Sequence, residues 1–379
     1  MRMEKKKQTP GIRLSLAWKA QLRRLPLLLL FPLAIVLPAL LSRFPDTVEK
    51  LYSQGVYPVL SSILSAVFGL APFSVAEWIL YTLAVGVPAV ILITFVRTIL
   101  KRTQWVRFTQ LILTVIIAFG IAFNAFYLMW GFNYSRPTLG KLLSLDVRER
   151  PVEELETLCY SLAEQAAILR ENVREDERGI FSLTDTQACF EKIPAAYETL
   201  GNALPLFRMR AARPKPVLAA EGLSWAGISG IYTPFTAEPN VNIHQSALLI
   251  PSSAAHESAH SLGIAREDEA NFVAYLSCMA SDDPTLQYSG VMLALIHCGN
   301  QLNKVRPEAY TKMYLSTYSQ GMLRDLKDYN AYWDAYEGPV EETMNRMNDG
   351  YLKYNRQESG VKSYGQMVDL LLAWHAQTS

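Results

Sequence analysis

The stretch His256-Glu257-Ser258-Ala259-His260 is the part of this 379-residue sequence from which fold and chemistry are best inferred. On a helix, residues four apart lie on one face, so both imidazoles can bind one metal ion with Glu257 beside them. Two neutral imidazoles hold Zn²⁺ and leave positions open, and the adjacent carboxylate takes a proton from metal-bound water. The pattern therefore predicts a catalytic zinc site, and the alternative is a helix whose histidines are only packed or solvated.

A catalytic zinc site usually needs a third protein ligand. Arg266 stands six residues after the second histidine, which excludes the class of zinc enzymes with a third histidine at that position. We expect Glu269 to be the ligand, because Ala270 and Ala274 would let a second helix pack closely below the first. Glu267 is the alternative, and any acidic residue here is also favoured by the helix dipole alone. The acidic cluster consists of Glu267, Asp268 and Glu269.

Three apolar segments precede the motif and predict a membrane anchor over residues 1–130. They cover residues 25–41, 75–96 and 111–130, and each is close to the length that crosses a bilayer. A signal peptide is one alternative for the first segment, but no small-residue cleavage motif follows it. Three buried helices of a soluble protein are another, but the segments have no polar face. Residues 47–71 have an amphipathic pattern that favours a helix along the membrane surface.

Basic residues predict the orientation of the anchor, since positive loops stay in the cytoplasm. The net charge of +1 gives no indication of nucleic-acid binding. Three crossings from a cytoplasmic N-terminus place everything after Trp130 outside the cytoplasm. The basic positions before the first and between the second and third segments are Arg2, Lys5, Lys6, Lys7, Arg13, Lys19, Arg23, Arg24, Arg97, Lys101, Arg102 and Arg107.

Residues 131–379 have the composition of a soluble domain, predicted to be mainly α with a small antiparallel sheet. The predicted strands are residues 216–220, 227–235 and 240–244. An edge strand beside the metal helix could bind an extended peptide through its main chain, with Tyr232, Asn240 and Asn242 as candidate substrate-binding residues. Ordinary scaffold strands are the equal alternative. The predicted helices are residues 151–174, 185–200, 269–279, 285–303, 307–318, 340–354 and 363–374.

A peptidase also needs a donor that stabilises the oxyanion of the substrate. Tyr288 is preferred because the sequence around it, residues 287–290, is loop-like. Tyr275, His297 and His244 are alternatives, and each of the four is also a candidate core or surface residue. Four cysteines lie in the outer domain, where they either form disulfides in one of three pairings or remain buried thiols. They are Cys159, Cys189, Cys278 and Cys298.

The motif His256-Glu257-x-x-His260 followed by Glu269-Ala270-Asn271 resembles the gluzincin group of zinc metallopeptidases. More widely, the chain resembles an uncharacterised family of bacterial membrane proteins with three spans and a zincin-like outer domain. The resemblance implies Zn²⁺ bound by His256, His260 and Glu269, with peptide hydrolysis by Glu257. The segments that carry it are Gly230-Ile231-Tyr232-x-Pro234-Phe235-Thr236-x-Glu238-x-Asn240-Val241-Asn242, the HExxH motif and Glu267-Asp268-Glu269-Ala270-Asn271-Phe272.

The sequence thus predicts a membrane-anchored zinc metallopeptidase that acts on peptides or proteins outside the cytoplasm. A non-catalytic zincin-like sensor or scaffold of the cell envelope is the alternative, although a purely structural helix would not need Glu257. A transporter fits least, because the spans contain no charged residue apart from Glu77, near the start of the second.

Overall fold

The structure is a computed structural model that describes residues 18–355 and 366–378. The predicted cytoplasmic residues from Arg2 to Arg13 and the first positions of the last predicted helix, 363–365, lie outside the described residues. Within them the chain is mainly helical, with one three-stranded sheet.

Four helices are long and apolar enough to cross a membrane, which indicates membrane insertion. They are α1 (Trp18–Leu41), α2 (Pro45–Phe68), α3 (Val75–Ile99) and α4 (Trp105–Met129). The three predicted apolar segments are confirmed as helices α1, α3 and α4, each longer than predicted. Helix α2 is the least apolar, with a mean hydropathy of 1.2 against 2.2 to 2.4 for the others.

Helix α2 has two opposite faces, which explains its lower hydropathy. One face is buried and largely polar, and its residues recur every four positions: Glu49, Ser53, Tyr57 and Ser61. The other face is apolar and exposed, and it consists of Leu51, Val59, Ile63 and Val67. Residues four apart share a face of a helix, so the two stripes follow directly from the sequence.

The outer domain contains ten further α-helices of six or more residues among the described residues, besides the short helix Leu139–Leu142, and the predicted ones are confirmed with small shifts of their ends. Helix α12 was not predicted, because polar and aromatic residues rather than aliphatic ones carry its periodicity; Ser319 caps it by accepting from the main-chain N–H of Met322. The ten helices are α5 (Val152–Arg170), α6 (Thr186–Ala203), α7 (Ala220–Trp225), α8 (Ile250–Ser261), α9 (Glu267–Met279), α10 (Pro284–Val305), α11 (Pro307–Thr317), α12 (Gln320–Asp334), α13 (Pro339–Tyr354) and α14 (Gln366–Thr378).

The sheet is mixed, so the prediction of an antiparallel sheet is wrong for one of its strands. The strands are β1 (Lys215–Pro216), β2 (Gly230–Thr233) and β3 (Glu238–Val241), in the order β1-β3-β2. The hairpin β2–β3 is antiparallel, but β1 pairs in parallel with β3 because α7 and β2 lie between them in the chain. Strand β2 is therefore an edge strand of the sheet.

Helix α8, which carries the HExxH motif, lies at the centre of the outer domain. It packs against α9, α10, α6 and the β2–β3 hairpin. All of its residues except His256 are buried. A helix covered on every side needs no polar face, which is why its sequence, rich in Ala and Ser, has no amphipathic pattern.

Candidate metal centre

The two histidines of α8 and the first residue of α9 form the candidate metal centre. The loop between the two helices turns at Gly263, whose φ of 78° is the left-handed conformation that favours glycine. A Cβ atom at this position would also lie only 3.0 Å from Asn133 Oδ1 and from Tyr57 Cε1. The turn brings the start of α9 under the histidine face of α8.

The nitrogen and oxygen atoms of this cluster are spaced for a tetrahedral metal ion. The distance from His256 Nε2 to His260 Nε2 is 3.2 Å, and Glu267 Oε2 lies 3.1 Å from the first and 3.7 Å from the second. A tetrahedron with zinc–ligand bonds of about 2.0–2.1 Å has edges of about 3.4 Å. The three residues therefore fit zinc and leave a fourth position for water or substrate.

Each histidine is oriented by a hydrogen bond on its other nitrogen. His260 Nδ1 donates to the carbonyl oxygen of Ile264, at 2.6 Å, and His256 Nδ1 lies 2.8 Å from Asn271 Oδ1. Because a carbonyl oxygen can only accept, each Nδ1 carries a proton, and Nε2 is the nitrogen that faces the cluster. Both Nε2 atoms are thus prepared as ligands, in the way that supporting residues orient metal-bound histidines.

The charges of the cluster are also those of a cation site. Burial alone would lower the pKa of His260, but the carboxylates of Glu267 and Glu257 outweigh it and raise the pKa to about 9. Burial acts to raise the pKa of Glu267, yet His260 and His256 hold it well below its usual range. This negative carboxylate is suited to stabilise positive charge between the three residues.

Glu257 lies next to the cluster, against the edge strand β2. Burial raises the pKa of its carboxyl to about 6, in opposition to His256 and His260, and the main chain of Tyr232 hydrogen-bonds to it. A Cβ atom at Gly230 would lie 2.6 Å from both Cγ and Oε1 of Glu257. Glycine at position 230 therefore leaves room for the carboxyl group of Glu257. A pKa of about 6 would suit a general base near neutral pH.

Glu269, the predicted third ligand, does not join the histidines. Its Oε1 accepts from the main-chain N–H of Leu139, at 2.7 Å, and from Arg266 Nη1, at 3.2 Å. Residues two positions apart on a helix are rotated by about 200° around its axis, so Glu267 and Glu269 point to opposite sides of α9. The structure instead places Glu267, the alternative, beside the two histidines.

The profile of the DUF3810 family, described as a protein of unknown function, matches residues 52–372. The chain belongs to the DUF3810 family. The matched region contains the whole candidate metal centre and most of the membrane helices. No curated protein and no solved structure matches the chain. The comparisons therefore do not assign a zincin domain, and the resemblance to gluzincins stays a prediction.

Tyr288, the predicted oxyanion donor, lies in the interior of this DUF3810 protein and not in a loop. It belongs to α10, and its hydroxyl donates to Asp325 Oδ2 at 2.6 Å. The same carboxylate accepts from Arg170 Nε, at 2.6 Å. A hydroxyl held in this network does not point to the metal centre. His244, an alternative, instead contacts Tyr332 and Tyr336.

Two of the three predicted substrate-binding residues hold the sheet together instead. The amide of Asn240 donates to the carbonyl oxygens of Ile231 (3.2 Å) and Glu238 (2.9 Å). Asn242 is fully buried, and its amide donates to the carbonyl oxygen of Ile228, at 3.0 Å. Neither amide is placed to bind a substrate.

Tyr232 is the predicted substrate-binding residue that does lie at the centre. Its ring is 6.3 Å from that of His260 and 5.7 Å from that of Trp130, measured between centroids. The side chain is buried, and its hydroxyl lies 3.3 Å from that of Tyr57. Tyr232 therefore supports the histidine with its side chain and faces Glu257 with its main chain.

Other residues of the centre were missed at the sequence level. Asn271 stands four residues after Glu267, a spacing that would have placed both on the histidine side of α9. Tyr134 donates to the hydroxyl of Tyr351 at 3.1 Å. Burial above all, with the charge of Glu267 as a further cause, raises the pKa of Tyr134 well above its usual value. No sequence pattern links Tyr134 to Tyr351, because they are far apart in the chain.

Proposed function

We propose that this DUF3810 protein is a membrane-anchored zinc-dependent metallopeptidase. His256, His260 and Glu267 hold the metal, and Glu257 is the general base. The observation that supports this most strongly is the cluster of three ligand atoms at tetrahedral spacing, with both histidines fixed through Nδ1. A structural role alone gives no reason for the buried carboxylate of Glu257 beside it.

Each residue of the site has a separate role in the proposed hydrolysis. Zinc would supply a Lewis acid that polarises the peptide carbonyl and makes water acidic near neutral pH. Glu257, with a pKa raised to about 6, accepts the proton of the attacking water and returns it to the leaving amine. The hydroxyls of Tyr134 and Tyr351 are donors close to Glu267 and are our candidates for stabilising the oxyanion.

The outer edge of β2, which does not pair with β3, is the proposed binding site for the peptide main chain. The carbonyl oxygen of Ser229 accepts from the N–H of Asn242, so Ile231 also faces β3. Main-chain groups alternate along a strand, and those of Gly230 and Tyr232 therefore face away from β3, toward Glu257. A substrate strand added at this edge would place its peptide bonds beside the base.

Contacts at both ends of α2 support a topology in which three helices cross the membrane and α2 does not. Near its start, Glu49 forms an ion pair with Arg136. At its end, the carbonyl oxygen of Phe68 accepts from Lys215 Nζ, at 2.7 Å. Both ends thus contact the outer domain, so α2 lies along the membrane surface while α1, α3 and α4 cross. The basic α3–α4 loop then faces the cytoplasm and the metal centre faces outward.

Metal analysis combined with one substitution tests the proposal on the full-length protein in detergent. We expect about one zinc per chain in the parent and in Glu257→Gln, and cleavage of a peptide library by the parent only. Glu164→Gln, at an exposed position of α5, is the matched control and should cleave like the parent. The proposal fails if zinc does not bind or if Glu257→Gln cleaves as fast as the parent. Zinc without cleavage in the parent would indicate the sensor or scaffold.

A further inference from the structure

We propose that the substrate is a polypeptide anchored in the same membrane and cut within about six residues of its membrane boundary. This inference rests on the proposed peptidase function and adds the class of substrate. Three observations support the inference. They are the contacts between the metal helix and the membrane helices, the contacts at the end of the edge strand, and the exposed apolar side chains near that strand.

The metal helix α8 forms hydrogen bonds with residues of the membrane region. Trp130, which follows α4, donates from Nε1 to the carbonyl oxygen of His260 at 2.9 Å. Tyr57 and Ser61 of α2 donate to the carbonyl oxygen of Ser261, at 2.9 and 3.1 Å. A helix of 25 residues is about 37 Å long, against about 30 Å of hydrocarbon, so the end of α4 lies only a few ångströms beyond it. The metal centre therefore sits at the membrane surface.

One end of the edge strand also meets the membrane region. Glu238 accepts from the main-chain N–H groups of Val75 (3.1 Å) and Ala76 (2.8 Å), at the start of α3. In the sheet, Glu238 pairs with Thr233, the last residue of β2. The first residue of β2, Gly230, lies against Glu257. Strand β2 thus leads from the base to the membrane boundary.

The length of β2 sets the distance between the boundary and the cut. A strand rises about 3.3 Å per residue, so Gly230 and Thr233 are about 10 Å apart. A substrate that pairs with β2 would reach Glu257 about three residues after it leaves the boundary. If the pairing is antiparallel, as in the β2–β3 hairpin, the substrate runs from Thr233 to Gly230, and its anchor precedes the cut.

Exposed apolar side chains follow this path, as expected of a surface that faces lipid and not water. Ile231 on β2 is 50% exposed and Phe235 in the hairpin turn is 41% exposed. Leu70 and Phe73, in the loop before α3, are 84% and 47% exposed, and the carbonyl oxygen of Phe73 accepts from Lys215. Leu70 and Phe73 directly precede α3 in the chain, which favours the bilayer and a chain emerging from it as what these side chains contact.

The test uses the full-length protein in vesicles of phosphatidylethanolamine and phosphatidylglycerol. The probe is a library of random segments of about ten residues. Each segment is joined to the C-terminal end of a single membrane span. A second library carries a Gly/Ser spacer of about 15 residues between span and segment, which keeps the tether but moves the segment away. A third library carries the span after the segment. Cut positions are read by mass spectrometry.

We expect cuts in the first library within about six residues of the span, and at least tenfold fewer in the segments of the other two. The spacer library controls for the local concentration that any tether provides. The inference is overturned if spaced or C-terminally anchored segments are cut as well as the first. If the parent cuts none of the libraries, like Glu257→Gln, the peptidase function itself fails.

Discussion

At the scale of single residues, the direction of a side chain around α9 determines which acid lies beside the two histidines. Glu267 and Glu269 are both acidic, both in the first turn of α9 and both mostly buried. They differ in the face of the helix on which they lie, and only Glu267 faces His256 and His260. Glu269 instead ties α9 to Leu139, in the junction after the membrane helices.

A pair of matched substitutions tests this division. Glu267→Gln should lower zinc affinity by at least about 100-fold, because a neutral amide replaces the charged ligand. Glu269→Gln should bind zinc like the parent and unfold more easily, since it weakens the contacts to Leu139 and Arg266. Competition with a zinc chelator measures the first effect and thermal unfolding the second. Loss of zinc in Glu269→Gln alone would contradict the assignment.

A substitution at Gly230 tests the proposed role of Glu257 as a base separately from the proposed metal ligands. In Gly230→Ala the new methyl group would lie 2.6 Å from Cγ of Glu257 and displace it. We expect activity to fall about 100-fold, because a shift of about 1 Å at a reacting group can cost that much, with zinc binding unchanged. Gly222→Ala is the control, because its Cβ would meet only Ala219, at 3.8 Å. An active Gly230→Ala enzyme would show that Glu257 does not act from this position.

The local sequence predicted the histidines and the base, but not the complete site. A spacing of four residues places His256 and His260 on one helical face, whatever surrounds the helix. The third ligand depends on how α9 is rotated against α8, which the turn at Gly263 and the contacts of Glu269 set. The neighbouring acids have the same local sequence preferences, so the sequence left Glu267 and Glu269 as alternatives.

At the scale of the elements, a buried ionic network joins α5, α10 and α12. Asp325 is fully buried and accepts from Arg170, from Tyr288 and from the main-chain N–H of Phe181. Charged groups in a protein interior are stable only when paired and hydrogen-bonded. The network explains why α12, with a mainly polar sequence, packs on the outer domain.

Substitutions in this network should change stability and not catalysis. Tyr288→Phe removes one donor and should lower the free energy of unfolding by about 1–2 kcal/mol, with kcat unchanged. Asp325→Ala leaves Arg170 buried without its partner and should cost about 3–5 kcal/mol. Denaturant unfolding in detergent and peptide cleavage are the two measurements. A large loss of kcat in Tyr288→Phe at unchanged stability would return Tyr288 to the candidate oxyanion donors.

The elements also show where sequence patterns suffice. The apolar helices α1, α3 and α4 and most outer helices were predicted, because hydrophobic length and helical spacing are local properties. The parallel pairing of β1 with β3 was not, because it joins strands separated by α7 and β2. A strand of two residues has no pattern of its own.

At the scale of the whole molecule, the membrane helices and the outer domain form one structure around α2. The buried stripe of α2 reaches the metal helix through Tyr57 and Ser61, while its opposite stripe is apolar and exposed. In the proposed topology, α2 lies between the outer domain and the lipid. The position of the metal centre relative to the membrane therefore depends on α2.

Single cysteines test the path of the chain through the membrane. The four native thiols are buried, and burial raises the pKa of Cys189 to about 12, so a maleimide that cannot cross membranes should not label them. Cysteines at Arg43 and Pro72, exposed positions on either side of α2, should be labelled from outside the cell. Arg102→Cys, in the α3–α4 loop, should be labelled only after the membrane is opened. Labelling of positions 43 and 72 from opposite sides would mean that α2 crosses the membrane.

The sequence by itself determined the HExxH helix, the apolar membrane helices and the amphipathic character of α2, since each depends on the spacing of residues along one segment. Only the tertiary structure decided that Glu267 and not Glu269 joins the histidines, that Tyr288 belongs to the interior, and that the edge strand ends beside α3. These features depend on how separate segments are rotated and packed against one another, and neighbouring residues do not encode that rotation.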